Sequence, residues 1–109
     1  MGLAREEEVE LGRPPSFKPG VKVVSTKYVK NDGTYRGREI GDILVAKGDV
    51  GYVRDIGSFL QQFYVYAVEF VDRGVVVGMR GKELRSFEDW AALQAQKVLA
   101  LGGEKGQGN

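Results

Sequence analysis

Between Val21 and Met79 the sequence is a succession of short β-branched and aromatic runs, each closed by a glycine-bearing turn, and this pattern excludes most folds. The runs are Val21–Thr26, Asp42–Ala46, Val50–Ile56, Phe63–Phe70 and Val75–Met79. Lys18-Pro19-Gly20, Lys47-Gly48-Asp49, Gly57-Ser58 and Asp72-Arg73-Gly74 supply turns between them. No helical period intervenes, so alternating βα architectures are out. A chain of 109 residues leaves room for one modest core, without an enclosed cavity and its supporting shells.

The expected fold is all-β: a small five-stranded SH3-like barrel with a C-terminal α-helix. An OB-fold needs a helix between its third and fourth strands, and none fits between Val53 and Phe63. Gly51 and Gly78 sit inside runs, where they mark a bulge, a bend or a close backbone approach. Residues 1–16, with Pro14-Pro15 and a transient helical turn over Glu6–Leu11, read as a flexible leader, and 17–84 as the barrel. Lys30–Gly41 reads as a broad polar loop. Residues 85–102 read as a helix: Ser86 is placed to cap it, Glu88 and Asp89 suit its first turn, and Gly102-Gly103 suit its end. Residues 103–109 read as a flexible tail.

Composition restricts the chemistry. The sequence has no cysteine and no histidine, which removes disulfides, thiolate ligation of iron–sulfur clusters, Cys/His zinc sites and imidazole-based catalysis. No catalytic residue, metal ligand set or cofactor is expected, and the chain is read as a binding protein rather than an enzyme. A formal charge of +1 gives no bulk attraction to nucleic acid, and no apolar run approaches the ~20 residues of a membrane span. The first residues lack the apolar region of a secretory signal, so a cytoplasmic location is expected.

Three features invite a functional reading. The Asn31–Arg38 loop can present Asp32, Tyr35, Arg36 and Arg38 to a partner, or be a solvated connector with local Asx turns. Asp49 and Asp55 lack the dense acidic spacing of a calcium loop, and Arg54–Asp55 reads as a surface pair. The Phe63–Phe70 strand is apolar on both faces, which requires the C-terminal helix or a partner to cover the second; the helix is the expected cover, and Trp90 the expected core filler. Lys47-Gly48-Asp49-Val50-Gly51-Tyr52-Val53 is also similar to KOW-type RNA-binding modules, the rival reading.

Two longer blocks carry a more specific resemblance: Asn31-Asp32-Gly33-Thr34-Tyr35-Arg36-Gly37, and Gly48 to Gln61 with its Gly51-Tyr52-Val53-Arg54-Asp55-Ile56-Gly57 run. With Tyr66–Phe70, Val76-Val77-Gly78 and Glu83-Leu84, they closely resemble the NifZ family of nitrogen-fixation accessory proteins, from Phe17 to Leu84. The resemblance implies a cytoplasmic, chaperone-like helper that binds the immature nitrogenase molybdenum–iron protein and assists P-cluster formation from paired [4Fe–4S] units. Other nitrogenase maturation factors are further expected partners, and neither nucleic acid nor membrane is expected. The segments where the match is densest supply the candidate partner-binding residues. Arg36, Arg54 and Asp55 would orient the partner. Tyr35, Tyr52 and Phe59 would provide contact area, with Asn31, Asp32 and Gln61 beside them. The sequence departs from the family at Met79, where some members have Cys, and at Arg36 and Ser58, where Pro and Thr are more usual. It also lacks the second β segment of longer members.

Overall fold

The computed structural model describes residues 10–108; residues 1–9, which hold most of the expected leader, and Asn109 lie outside the described residues. The strands are β1 (Lys22–Ser25), β2 (Val29–Lys30), β3 (Ile43–Val45), β4 (Val50–Phe59), β5 (Phe63–Phe70), β6 (Val75–Met79) and β7 (Leu84–Ser86). They precede one long helix, α1 (Phe87–Gly108). Each of the five expected runs forms a strand. The additional pair, β2 and β7, are two and three residues long, too short to register as a periodic pattern.

Strand pairing is antiparallel throughout. One sheet runs β6-β5-β4-β1-β7, and β2 pairs with β3 in a separate ladder, making the polar Asn31–Asp42 stretch a wide hairpin loop. The two ladders share one core: Val23, Val53, Tyr66, Val68, Phe70, Val75, Met79 and Leu84 from the large sheet meet Leu44 and Val45 from the small one. Inward and outward residues alternate along β5, with Tyr66, Val68 and Phe70 fully buried and Phe63, Val65, Ala67 and Glu69 half-buried.

The expected closed barrel does not form. β6 and β7 remain the edges of the five-stranded sheet, because no ladder joins either of them to β2 or β3. Side chains and turns take the place of that ladder. The Tyr35 hydroxyl accepts the Val76 N–H of β6 at 3.4 Å, and the Arg38 guanidinium donates to the Arg73 carbonyl at 2.9 Å. The edge is sealed by a loop rather than by a strand.

Register explains two glycines and relocates one turn. Val53 pairs with Val68 and Asp55 with Ala67, so the bulge falls on Arg54, and Gly51 is instead a point of close approach. Gly57 and Ser58 continue β4, and the chain reverses over Leu60–Gln62, closed by the Gln62 N–H to the Phe59 carbonyl at 3.0 Å.

Residues 10–16, expected within the leader, are tied to β5. The Glu10 and Leu11 N–H groups donate to the Gln62 carbonyl, the Glu10 carboxylate accepts the Tyr64 N–H at 2.9 Å, and Tyr64 donates its hydroxyl proton to the Arg13 carbonyl. The Ser16 N–H donates to the Tyr66 hydroxyl at 2.9 Å.

Helix α1 begins where the capping residue placed it: the Ser86 Oγ accepts the Asp89 N–H at 3.1 Å. It runs past Gly102-Gly103, the expected end, to Gly108. It leans on β1 and β7 rather than covering the outer face of β5. Among its residues from Phe87 to Leu101, Phe87, Trp90, Ala91 and Gln94 are half-buried, and Ala95–Leu101 are exposed. Trp90 packs on Phe87 at 5.9 Å and lies outside the core, correcting its expected role.

Candidate functional site

The Asn31–Gly41 loop is built around one side chain. Asn31 is 3% exposed and all of its hydrogen-bonding capacity is spent internally. Its Oδ1 accepts the Gly33 and Tyr35 N–H groups at 2.9 and 3.1 Å, and its Nδ2 donates to the Tyr35 and Arg38 carbonyls, both at 3.0 Å. Its backbone joins the same knot, the N–H donating to Asp42 and the carbonyl accepting from Gly41. Asn31 is therefore a staple of the loop and not an exposed contact, correcting its place among the candidate partner-binding residues. Replacing it with alanine leaves several loop groups without partners, and a loss of about 2 kcal/mol is expected in urea unfolding. A loss below about 0.5 kcal/mol would refute the staple.

Asp32 stands exposed beside it. Its carboxylate accepts the Thr34 hydroxyl at 2.7 Å and the Thr34 N–H at 3.1 Å, and these bonds hold its pKa below the ordinary aspartate value. A lowered folded-state pKa means that the contribution is present above the unfolded value and is lost as pH falls through the folded one. Tyr35 is half-buried with its hydroxyl on β6, and Arg36 is exposed.

The second group lies on the β4–β5 hairpin. Arg54, pushed outward by the bulge, pairs with Glu69 (Nε–Oε1 2.5 Å) rather than with Asp55, so the expected Arg54–Asp55 pair is not made. The pair is more than half exposed on the arginine side, and is worth little to stability. The Asp55 carboxylate instead accepts the N–H of Ile56 at 2.8 Å. Asp49 accepts from the Ala46 N–H and Arg73 Nε, so it and Asp55 serve different elements. Among the described residues no group of three or more Asp and Glu is placed to hold a metal ion, and no helix is long and apolar enough to cross a membrane.

At the hairpin's far end Phe59 is 52% exposed and Leu60 69% exposed, and Gln61 is exposed beside them. Phe59 packs on Phe63 at 5.4 Å, and the Arg80 guanidinium lies over the Phe63 ring at 3.7 Å. Leu60 and Gln61 both have positive φ, 54° and 55°, the conformation for which a tight hairpin normally uses Asn or Gly. Left-handed backbone costs about 1 kcal/mol or more per L-residue, and a leucine has no local polar bond to offset it.

The nine candidate residues thus do not form one patch. Tyr35 and Arg54 meet the Val76–Glu69–Tyr52 rung at one end of the hairpin, and Phe59 and Gln61 stand at the other, roughly 20 Å along the strand. Sequence reading left Leu60, like Phe59, open between a barrel plug and an exposed contact, and it missed Arg80. The first carries no turn signature, and the second acquires its aromatic partner only through the fold.

The described residues make a small antiparallel β domain that displays charged and aromatic side chains on one stapled loop and one long hairpin. The NifZ domain model matches residues 14–86, from the β5-bound segment to the end of β7. The chain is 65% identical over 86 residues to a "Putative NifZ protein" of Sinorhizobium fredii, covering 79% of this chain and 80% of that one. It is 62% identical over 74 residues to a "Probable NifZ protein" of Rhodobacter capsulatus, covering 68% of this chain and 95% of that one. "Protein NifZ" of Azotobacter vinelandii is 43% identical over 70 residues, which span 64% of this chain and 44% of that longer relative. The chain belongs to the NifZ family, which implies a role in nitrogen fixation. No solved structure matches it.

Proposed function

We propose that this chain is a chaperone-like accessory protein of nitrogen fixation, acting in the cytoplasm, that binds the immature nitrogenase molybdenum–iron protein and assists maturation of its P-cluster. Family membership supports the setting, and the hairpin tip supports binding as the mode of action. The observation that carries the reading is the pairing of exposed Phe59 and Leu60 with a strained turn at Leu60-Gln61. A turn that served folding alone would use residues that relieve the strain; this one sustains it while presenting apolar side chains outward. A partner lying along β4–β5 touches the Tyr35–Arg54 end and the Phe59 tip together.

Without cysteine or histidine this sequence has no soft ligand with which to carry a cluster, so its help is conformational. It favours the partner conformation in which the cluster units come together by binding that conformation more tightly. The test is capture of immature molybdenum–iron protein by Phe59→Ala and by the double variant Leu60→Asn/Gln61→Gly. Both should weaken capture at least tenfold. The double variant should at the same time gain about 1 kcal/mol of stability, because its turn residues suit positive φ. Unchanged capture by both variants would refute the surface.

A further inference from the structure

A second feature lies on another part of the molecule and depends on none of the foregoing. Where α1 leans on β1 and β7, the helix, the two strands and the turns at Lys47-Gly48 and Lys82 line an open cleft of about 590 Å3. Lys47, Lys82, Arg85 and Lys97 line it, together with Trp90 and Leu93. Among the described residues none of the four cations has a carboxylate within 4.0 Å; the ion pairs of this domain are Lys27–Glu83, Arg54–Glu69 and Arg73–Asp49. Four uncompensated positive charges therefore converge on one concavity in a chain whose formal charge is only +1. Their local field attracts anions although the protein as a whole does not.

The lining also indicates which anion. Two of the backbone N–H groups there are already used, Gly48 donating to the Ser25 carbonyl and Thr26 to the Glu83 carbonyl, and the Ser25 hydroxyl donates to the Lys27 carbonyl. Trp90, half-buried and packed on Phe87, offers no platform on which successive bases can stack. Long, mobile cations around an apolar floor of Trp90 and Leu93 suit carboxylates spaced along an extended chain, with one bulky apolar side chain between them. The volume is in the range of sites for short segments rather than for a duplex.

We propose that this cleft is a binding site for a short acidic peptide segment of a partner protein, carboxylates on the four cations and an apolar side chain on Trp90 and Leu93.

The protein carries one tryptophan, so Trp90 emission reports occupancy of the cleft directly. The probe is a fluorescein-labelled peptide Glu-Glu-Leu-Glu-Asp, with Gln-Gln-Leu-Gln-Asn as its neutral control, titrated against the full chain by anisotropy. An unlabelled copy of each peptide is followed by Trp90 emission. Saturable binding of the acidic peptide is expected, weakening as salt is raised and accompanied by a change in Trp90 emission. Lys82→Glu/Lys97→Glu, both exposed positions, should weaken it at least tenfold, while Phe59→Ala leaves it unchanged. No saturable binding, equal binding of the neutral peptide, or indifference to the double charge reversal would overturn the proposal. So would tighter binding of a single-stranded oligouridylate that displaces the peptide, which would assign the cleft to nucleic acid.

Discussion

Gly51→Ala should cost about 3 kcal/mol and lower the melting temperature by more than 10 °C, the largest effect expected for so small a change. Gly51 is buried on the inward side of β4, in phase with Val53. A Cβ there would lie 2.6 Å from Val68 Cγ1, 2.9 Å from the Glu69 carbonyl oxygen and 2.9 Å from the Phe70 ring. The valine methyl can rotate, but the carbonyl belongs to the β5 ladder and the ring is fully buried, so relief requires the two central strands to separate. Phe70 occupies the space that a side chain at 51 would need, and the glycine is the reason that so large a ring fits beneath the sheet. Gly57→Ala is the control: nothing lies within 4 Å of its Cβ, and a change within about 0.5 kcal/mol is expected. Urea denaturation of both variants checks the pair, and a mild Gly51→Ala would refute the close approach.

Tyr66→Ala should cost about 4 kcal/mol, and Tyr66→Phe about 1. Tyr66 has no exposed surface; it sits between Ile56 of β4 and Met79 of β6, with the Phe17 ring edge-on at 5.4 Å. Removing the ring opens a cavity in the centre of the sheet. Removing only the hydroxyl leaves the Ser16 N–H without its acceptor. The two variants separate core packing from anchoring. In Tyr66→Phe, amide hydrogen exchange should accelerate at Ser16 while Val68 and Phe70 stay protected. Equal acceleration at all three would mean that the hydroxyl holds the core and not the segment before it.

The runs from Val21 to Met79 were legible because each is long enough to show its β-branched composition, and Ser86 was legible as a cap because its partner lies three residues on. Closure was not legible. Whether five strands make a barrel or a sheet with two edges depends on which ends meet, and here the Tyr35 hydroxyl and the Arg38 guanidinium settle it across more than thirty residues. Glycine misled at Gly57: its turn signature was real, but the hairpin continued two residues further and turned on leucine and glutamine, a choice that no propensity supports. Asn31 shows the same limit for the site. Its place in a family-dense block marked it as important, and burial then decided that its importance is to hold the loop together. The direction taken by α1 was equally beyond reach, since the apolar spacing of Phe87, Trp90 and Ala91 fixes a face without fixing what that face meets.

The contacts made by residues 10–16 bear on the order in which the molecule is assembled. Glu10 and Ser16 bind tyrosines 54 and 50 residues further along the chain, Tyr64 where β5 extends past the end of β6 and Tyr66 opposite Met79, the last residue of β6. Closing so long a loop gains little until the hairpin already stands, so this stretch, though made early in synthesis, is fastened late. Until then the N–H of Tyr64 is an open template for another chain. The short segment before the domain proper thus works as a latch against self-pairing, and the interval before it shuts is when a newly made chain is most exposed to its own copies.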